Sequence, residues 1–131
     1  MYSWGDDIPE PFIDWNELCL PERMEKNLEE FGIKEPTPIQ MQAIPIMTQH
    51  RNLLASAPTG SGKTLAFVIP ILLDILRLKK MPKYADSSKP LAIILEPTRE
   101  LAQQTYRQVI KYSDGLHVNS VLLKNNDVPE N

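Results

Sequence analysis

The sequence predicts an α/β fold, three layers deep, with helices on both faces of a parallel sheet. Three observations carry that prediction. Short, near-continuous apolar runs, "NLLAS", "LAIILEP" and "HVNSVLL", alternate with longer segments of helical period. Strands that are apolar on both faces belong to parallel sheets covered from both sides. A glycine-rich loop, "ASAPTGSGKT", joins the first run to a long helix. The alternation stops after about three strands, and open sheets of this class carry more, so the fold is expected to be incomplete.

Met1 to Phe12 reads as an irregular acidic arm containing Gly5, Pro9 and Pro11. Pro21 suits the first turn of a helix; Met24, Leu28 and Phe31 follow at i, i+4 and i+7, and Gly32 supplies a left-handed stop. In "EPTPIQ", Thr37 is placed to cap the next helix with Pro38 at its first position, and Pro45 is expected to break or restart it. Asn52 to Ser56 is a buried-strand run. Lys63 to Leu78 is a long helix, apolar on most sides and so covered on several faces. "LKKMPKYADSSKP" is a polar connector, Leu91 to Pro97 a second strand, and Thr98 to Tyr112 a helix with its apolar stripe at Leu101, Ala102, Tyr106, Val109 and Ile110. "HVNSVLL" is the third strand, followed by the polar "KNNDVPEN".

The chain has 131 residues, 42% apolar and 24% charged, with room for one modest core. Its formal charge of −3 is unevenly spread. Ten acidic and three basic residues precede Pro36; seven acidic and eleven basic follow, so only the second part is suited to a polyanion. Cys19 is the single cysteine, which excludes an internal disulfide and a cysteine zinc cluster and points to a reducing compartment. The apolar run Leu65 to Leu73 is too short to span a bilayer, and no membrane association is expected. His50 and His117 are isolated and read as surface or loop residues.

The loop carries the clearest chemistry. A Walker A pattern asks for glycine, four residues, then Gly-Lys-Ser/Thr. Gly62, Lys63 and Thr64 supply the end, and Ala57 stands where the first glycine is usual. Gly60 and Gly62 let the backbone curl until its amides face phosphate oxygens, and the following helix adds its positive end. Ala57, Pro58, Thr59, Gly60, Ser61, Gly62, Lys63 and Thr64 are the expected phosphate site. Lys63 would reach the β- and γ-phosphates and Thr64 would hold Mg²⁺.

Two further stretches narrow the reading. Thr37 and Gln40 have capping-box spacing, which would fold Gln40 back onto the Thr37 amide. The same carboxamide could instead donate to and accept from the edge of adenine. In "LEPTRELAQQ", free amides, the Thr98 hydroxyl and the Arg99 guanidinium gather at one helix start, either an anion site or an ordinary solvated cap.

"EPTPIQ", "ASAPTGSGKT" and "PTRELA", in this order, resemble the Q motif, motif I and motif Ia of DEAD-box ATP-dependent RNA helicases. The resemblance spans Phe12 to Ala102. It implies a RecA-like P-loop NTPase domain, ATP and Mg²⁺ as ligands, and RNA as partner. It also implies that Gln40 reads adenine with Phe12 packing near the base, and that Pro97, Thr98, Arg99 and Glu100 lie along the RNA backbone. On this reading residues 1–11 are the arm, 12–41 the Q-motif region and 42–131 part of the ATP-binding domain. "PTPIQMQAIPIM" with "LLASAPTGSGKTLAF" is similar to the subfamily acting in small-subunit ribosomal RNA maturation, which implies a nucleolar protein, or failing that a cytoplasmic one.

The sequence also departs from the family. Ile33 stands where an aromatic is usual, His50 replaces a glycine before the first strand, and no glycine pair follows Tyr112. The Asp-Glu-Ala-Asp and Ser-Ala-Thr elements and the second RecA-like domain with its arginine finger are absent from these residues. This chain alone is therefore expected to be a monomer that binds nucleotide and turns it over negligibly, with a bare sheet edge prone to aggregate. The resemblance also implies helicase protein cofactors as partners. The alternatives are a non-enzymatic ATP- and RNA-binding short form and another P-loop NTPase, such as a small-molecule kinase.

Overall fold

A computed structural model describes residues 5–86 and 88–123; the first part of the arm and the polar segment 124–131 lie outside the described residues. The order is a 3-10 turn at Trp15–Leu18, then α1 (Glu22–Glu30), α2 (Pro38–Thr48), α3 (Lys63–Lys79), a short α4 (Pro82–Ala85) inside the polar connector, and α5 (Arg99–Tyr112). α3 and α5 begin and end within a residue of the spans the sequence predicts.

The helix ends follow local chemistry. Gly32, at φ +72°, closes α1. Gly32 N donates to Glu29 O at 3.0 Å and Ile33 N to Leu28 O at 2.9 Å, the paired bonds of a Schellman stop. Thr98 caps α5, its hydroxyl accepting from Leu101 N at 3.2 Å. His50 takes φ +58°, the left-handed turn in which a side chain is strained.

The core is helical. Met24 and Leu28 of α1, Ile44 of α2, and Leu65, Val68, Ile69 and Leu72 of α3 bury together with Phe12, Trp15, Leu20, Tyr112 and Leu116. A smaller cluster of Ile39, Ala43 and Ala66, with Ala57 packed on it, joins α2 to the start of α3. Ile33, despite its departure from the aromatic expected there, packs against the main core.

Four expectations need correcting. No strand forms among the described residues, so the parallel sheet is not seen. Asn52 to Ser56, Leu91 to Pro97 and His117 to Leu123 have the right composition, but a strand exists only through hydrogen bonds to a neighbour. Without such pairing their side chains face solvent: Leu54 is 100% exposed, Leu95 88% and Val121 80%. The α5 stripe is only partly covered: Leu101 and Ile110 are exposed, Ala102, Tyr106 and Val109 are half-buried, and Thr105 and Tyr112 are the buried members. A sheet face is what would cover such a stripe.

The third correction concerns Phe31, which is 40% exposed, while Asn27 is wholly buried. Asn27 Nδ2 donates to Tyr112 O at 3.1 Å and to Asp114 O at 2.8 Å, tying α1 to the end of α5. Tyr112 is itself buried, and that desolvation raises the pKa of its phenol above the ordinary value. Fourth, Pro45 neither breaks nor restarts α2, which runs through it to Thr48.

Candidate nucleotide site

α2 and α3 converge on the glycine loop. Gln40, at the third position of α2, is buried, with 3% of its surface exposed. Its Oε1 accepts from Thr37 N at 2.9 Å. The capping-box arrangement is therefore present, although the Thr37 hydroxyl itself is buried without a close hydrogen bond. Gln40 Nε2 donates to Gly62 O at 3.2 Å, which the sequence did not foretell. The carboxamide thus clips the phosphate loop to the helix that carries it. One hydrogen on Nε2 and one lone pair on Oε1 remain available.

The loop turns at Thr59 and Gly60, with Ser61 N donating to Pro58 O at 3.2 Å. Gly60 and Gly62 take φ of +79° and +84°, the region glycine enters without cost. At Gly62 close approach adds a second requirement. A Cβ there would lie 2.4 Å from Gln40 Nε2 and 3.0 Å from Thr37 Oγ1.

Gly62 is also the N-cap of α3 and provides no capping side chain. The first amides of α3 are therefore open to an external acceptor. Two features suit that acceptor to a phosphate chain. The Ser61 hydroxyl is buried without a hydrogen-bond partner, and Lys63 is exposed at the first position of the helix. A ligand rich in acceptor oxygens would satisfy the amides, the hydroxyl and the ammonium together. Pro58 and Thr59 are exposed, Thr64 is half-buried, and Ala57 is held by the α2–α3 cluster.

Phe12, which the resemblance implies packs near the base, is buried, 4% exposed, against Trp15 with ring centroids 5.3 Å apart. Trp15 is a member of this region that sequence reasoning missed, and its Nε1 is buried without a partner.

Pro97, Thr98, Arg99 and Glu100 are all exposed at the start of α5. Here the cap is occupied, since the Thr98 hydroxyl already accepts from Leu101 N. Behind them, Thr105 Oγ1 donates to Glu96 Oε1 at 2.6 Å, linking the approach segment to the helix. His50 and His117 are exposed, and no cluster of metal-ligating side chains occurs among the described residues. No helix among the described residues is long and apolar enough to cross a membrane.

Residues 37–131 match the DEAD/DEAH box helicase family. The chain is 47% identical over 118 residues to the human probable ATP-dependent RNA helicase DDX23, covering 89% of this chain and 14% of that protein. It is 46% identical to the bovine probable ATP-dependent RNA helicase DDX52, covering 88% of this chain and 19% of the relative. It therefore spans less than a fifth of either. Among solved structures, the RNA helicase Prp28 from Chaetomium thermophilum bound to ADP superposes with a TM-score of 0.78 at 43% identity, over 89% of this chain and 28% of that one. A DEAD box protein from Methanococcus jannaschii gives a TM-score of 0.66 at 34% identity, over 80% of this chain and 27% of that one. The chain belongs to the DEAD/DEAH box helicase family.

Proposed function

We propose that this chain forms the adenine-nucleotide-binding part of an ATP-dependent RNA helicase. The observation that carries the proposal is the Gln40 clip, which places a carboxamide with spare hydrogen-bonding capacity beside an uncapped helix start. The ADP in the Prp28 structure is consistent with it. The α3 amides, Ser61 and Lys63 hold the phosphates, and Gln40 selects adenine through its free hydrogen and lone pair. Thr64 would hold Mg²⁺, whose charge would offset that of the phosphates. Pro97, Thr98, Arg99 and Glu100 form the face offered to the RNA backbone. Hydrolysis and RNA remodelling belong to the whole helicase. These residues alone bind nucleotide with negligible turnover, because in-line attack also needs a carboxylate to position water and a cation for the developing charge.

For the RNA, the names of the relatives favour a nuclear substrate. PRP28 of Coccidioides immitis, 44% identical, is named for pre-mRNA splicing. Ribosomal RNA and a nucleolar location find no such support in these names. A protein cofactor fits a further relative in structure, yeast Dbp5, which was solved bound to Gle1.

Titration calorimetry with ADP and GDP tests the nucleotide reading. Lys63→Ala should weaken both nucleotides about ten- to a hundredfold, the worth of a hydrogen bond to a charged group. Gln40→Ala should lower ADP affinity more than GDP affinity. Nucleotide binding indifferent to Lys63→Ala would overturn the proposal. An equal loss of ADP and GDP on Gln40→Ala would reduce Gln40 to a cap.

A further inference from the structure

α2 continues through Pro45. An ordinary residue there would donate its amide to the carbonyl four residues earlier, that of Met41. Proline has no such hydrogen, and its ring crowds that carbonyl and turns it away from the helix ladder. Met41 O nevertheless has a partner: Phe12 N donates to it at 3.2 Å. Among the described residues, this is the one backbone–backbone bond outside regular elements that joins distant parts of the chain; the others are local turns and caps. The next amide of the arm, Ile13 N, is already satisfied by Glu17 Oε2 at 3.1 Å. Beyond the far end of α2, the Arg51 guanidinium donates to the carbonyls of Asp6 and Asp7. The arm is thus tied to α2 near both of its ends.

We propose that Pro45 is a positioning residue: by withholding an amide from Met41, it reserves a carbonyl on the Gln40 helix for Phe12 N and so seats the Phe12–Trp15 pair. The bond falls at the residue directly after Gln40. Resting on the proposal that Gln40 reads adenine, the docked arm then steadies the helix that carries that carboxamide, with Phe12 and Trp15 acting from within the core.

Pro45→Ala restores the competing amide. Hydrogen exchange at the Phe12 amide should become about three- to tenfold faster, as expected for the loss of one hydrogen bond. With Trp4 replaced by Phe, so that Trp15 is the single indole, acrylamide should quench the fluorescence more readily. Unchanged exchange at Phe12 together with unchanged quenching would overturn the proposal. A double-mutant cycle adds an independent check. Phenyllactic acid in place of Phe12 turns that amide into an ester, removing the donor while keeping the buried ring, so Pro45→Ala should stabilise the chain more in that background than in the native one; an identical change in both backgrounds overturns the proposal. Should Pro45→Ala alone fail to fold, the ester variant by itself carries the test: readier quenching of Trp15 upholds the proposal and unchanged quenching overturns it. ADP and inorganic pyrophosphate separate this inference from the adenine reading. Loss of ADP affinity with pyrophosphate binding intact supports both, whereas arm release with nucleotide binding unchanged upholds the docking role and removes the arm from base recognition.

Discussion

Gly62→Ala is expected to lower stability by about 2–4 kcal/mol and to weaken nucleotide binding more than tenfold. Holding a non-glycine residue in the left-handed region costs about 1–2 kcal/mol, and Gly62 sits at φ +84°. The added methyl would also meet Gln40 Nε2 at 2.4 Å, a side chain that cannot swing aside without breaking its bonds to Thr37 N and Gly62 O. Each bond is worth about 0.5–1.5 kcal/mol net. Urea denaturation measures the first effect and ADP calorimetry the second. Gly60→Ala separates the two causes, because Gly60 shares the positive φ but has nothing within 4 Å of its Cβ position. It should cost only the backbone share, about 1–2 kcal/mol. Equal losses at both glycines would show that close approach at Gly62 is immaterial.

Asn27→Ala should destabilise the chain by about 2–3 kcal/mol, without a direct effect on the nucleotide site. Asn27 is fully buried, and its Nδ2 serves both Tyr112 O and Asp114 O. Truncation strands the Tyr112 carbonyl inside the fold, and an unsatisfied buried group costs about 1–3 kcal/mol. The neighbouring ion pair offers a contrast. Arg23 and Asp114 approach to 2.7 Å, but their side chains are 40% and 66% exposed, and such pairs contribute about 0–1 kcal/mol. Asn27→Ala should therefore shift the urea midpoint further than Asp114→Ala. The reverse order would mean that the ion pair, and not the buried amide, joins α1 to α5.

Local chemistry was legible in the sequence. Thr37, Thr98, Gly32 and Gly62 each sit at a helix boundary because a hydroxyl, or freedom to take positive φ, is needed within a few residues, and sequence neighbours determine that need. Gln40 was legible in one half: the cap follows from spacing, whereas the bond to Gly62 O depends on how α2 and α3 pack. Asn27 and Trp15 carried no signal, because their roles depend on Tyr112, Asp114 and Phe12 arriving from elsewhere in the chain. Pro45 was misread for an instructive reason. The missing amide was identified correctly, but the freed carbonyl found a donor outside the helix, so the helix had no need to end. The apolar runs at 52–56, 91–97 and 117–123 have strand composition, but a strand is a relation between neighbours, and composition alone does not supply them.

The shared carboxamide of Gln40 has a thermodynamic corollary. Because one side chain bonds both the start of α2 and the carbonyl of Gly62, an anion that rigidifies the loop also reduces the freedom of the group beside it. Linkage is reciprocal: whatever factor pyrophosphate contributes to adenosine affinity, adenosine must return to pyrophosphate. The two ends of the nucleotide would then be sensed as one cooperative event, and a ligand offering only one end would forfeit the coupling as well as its missing contacts.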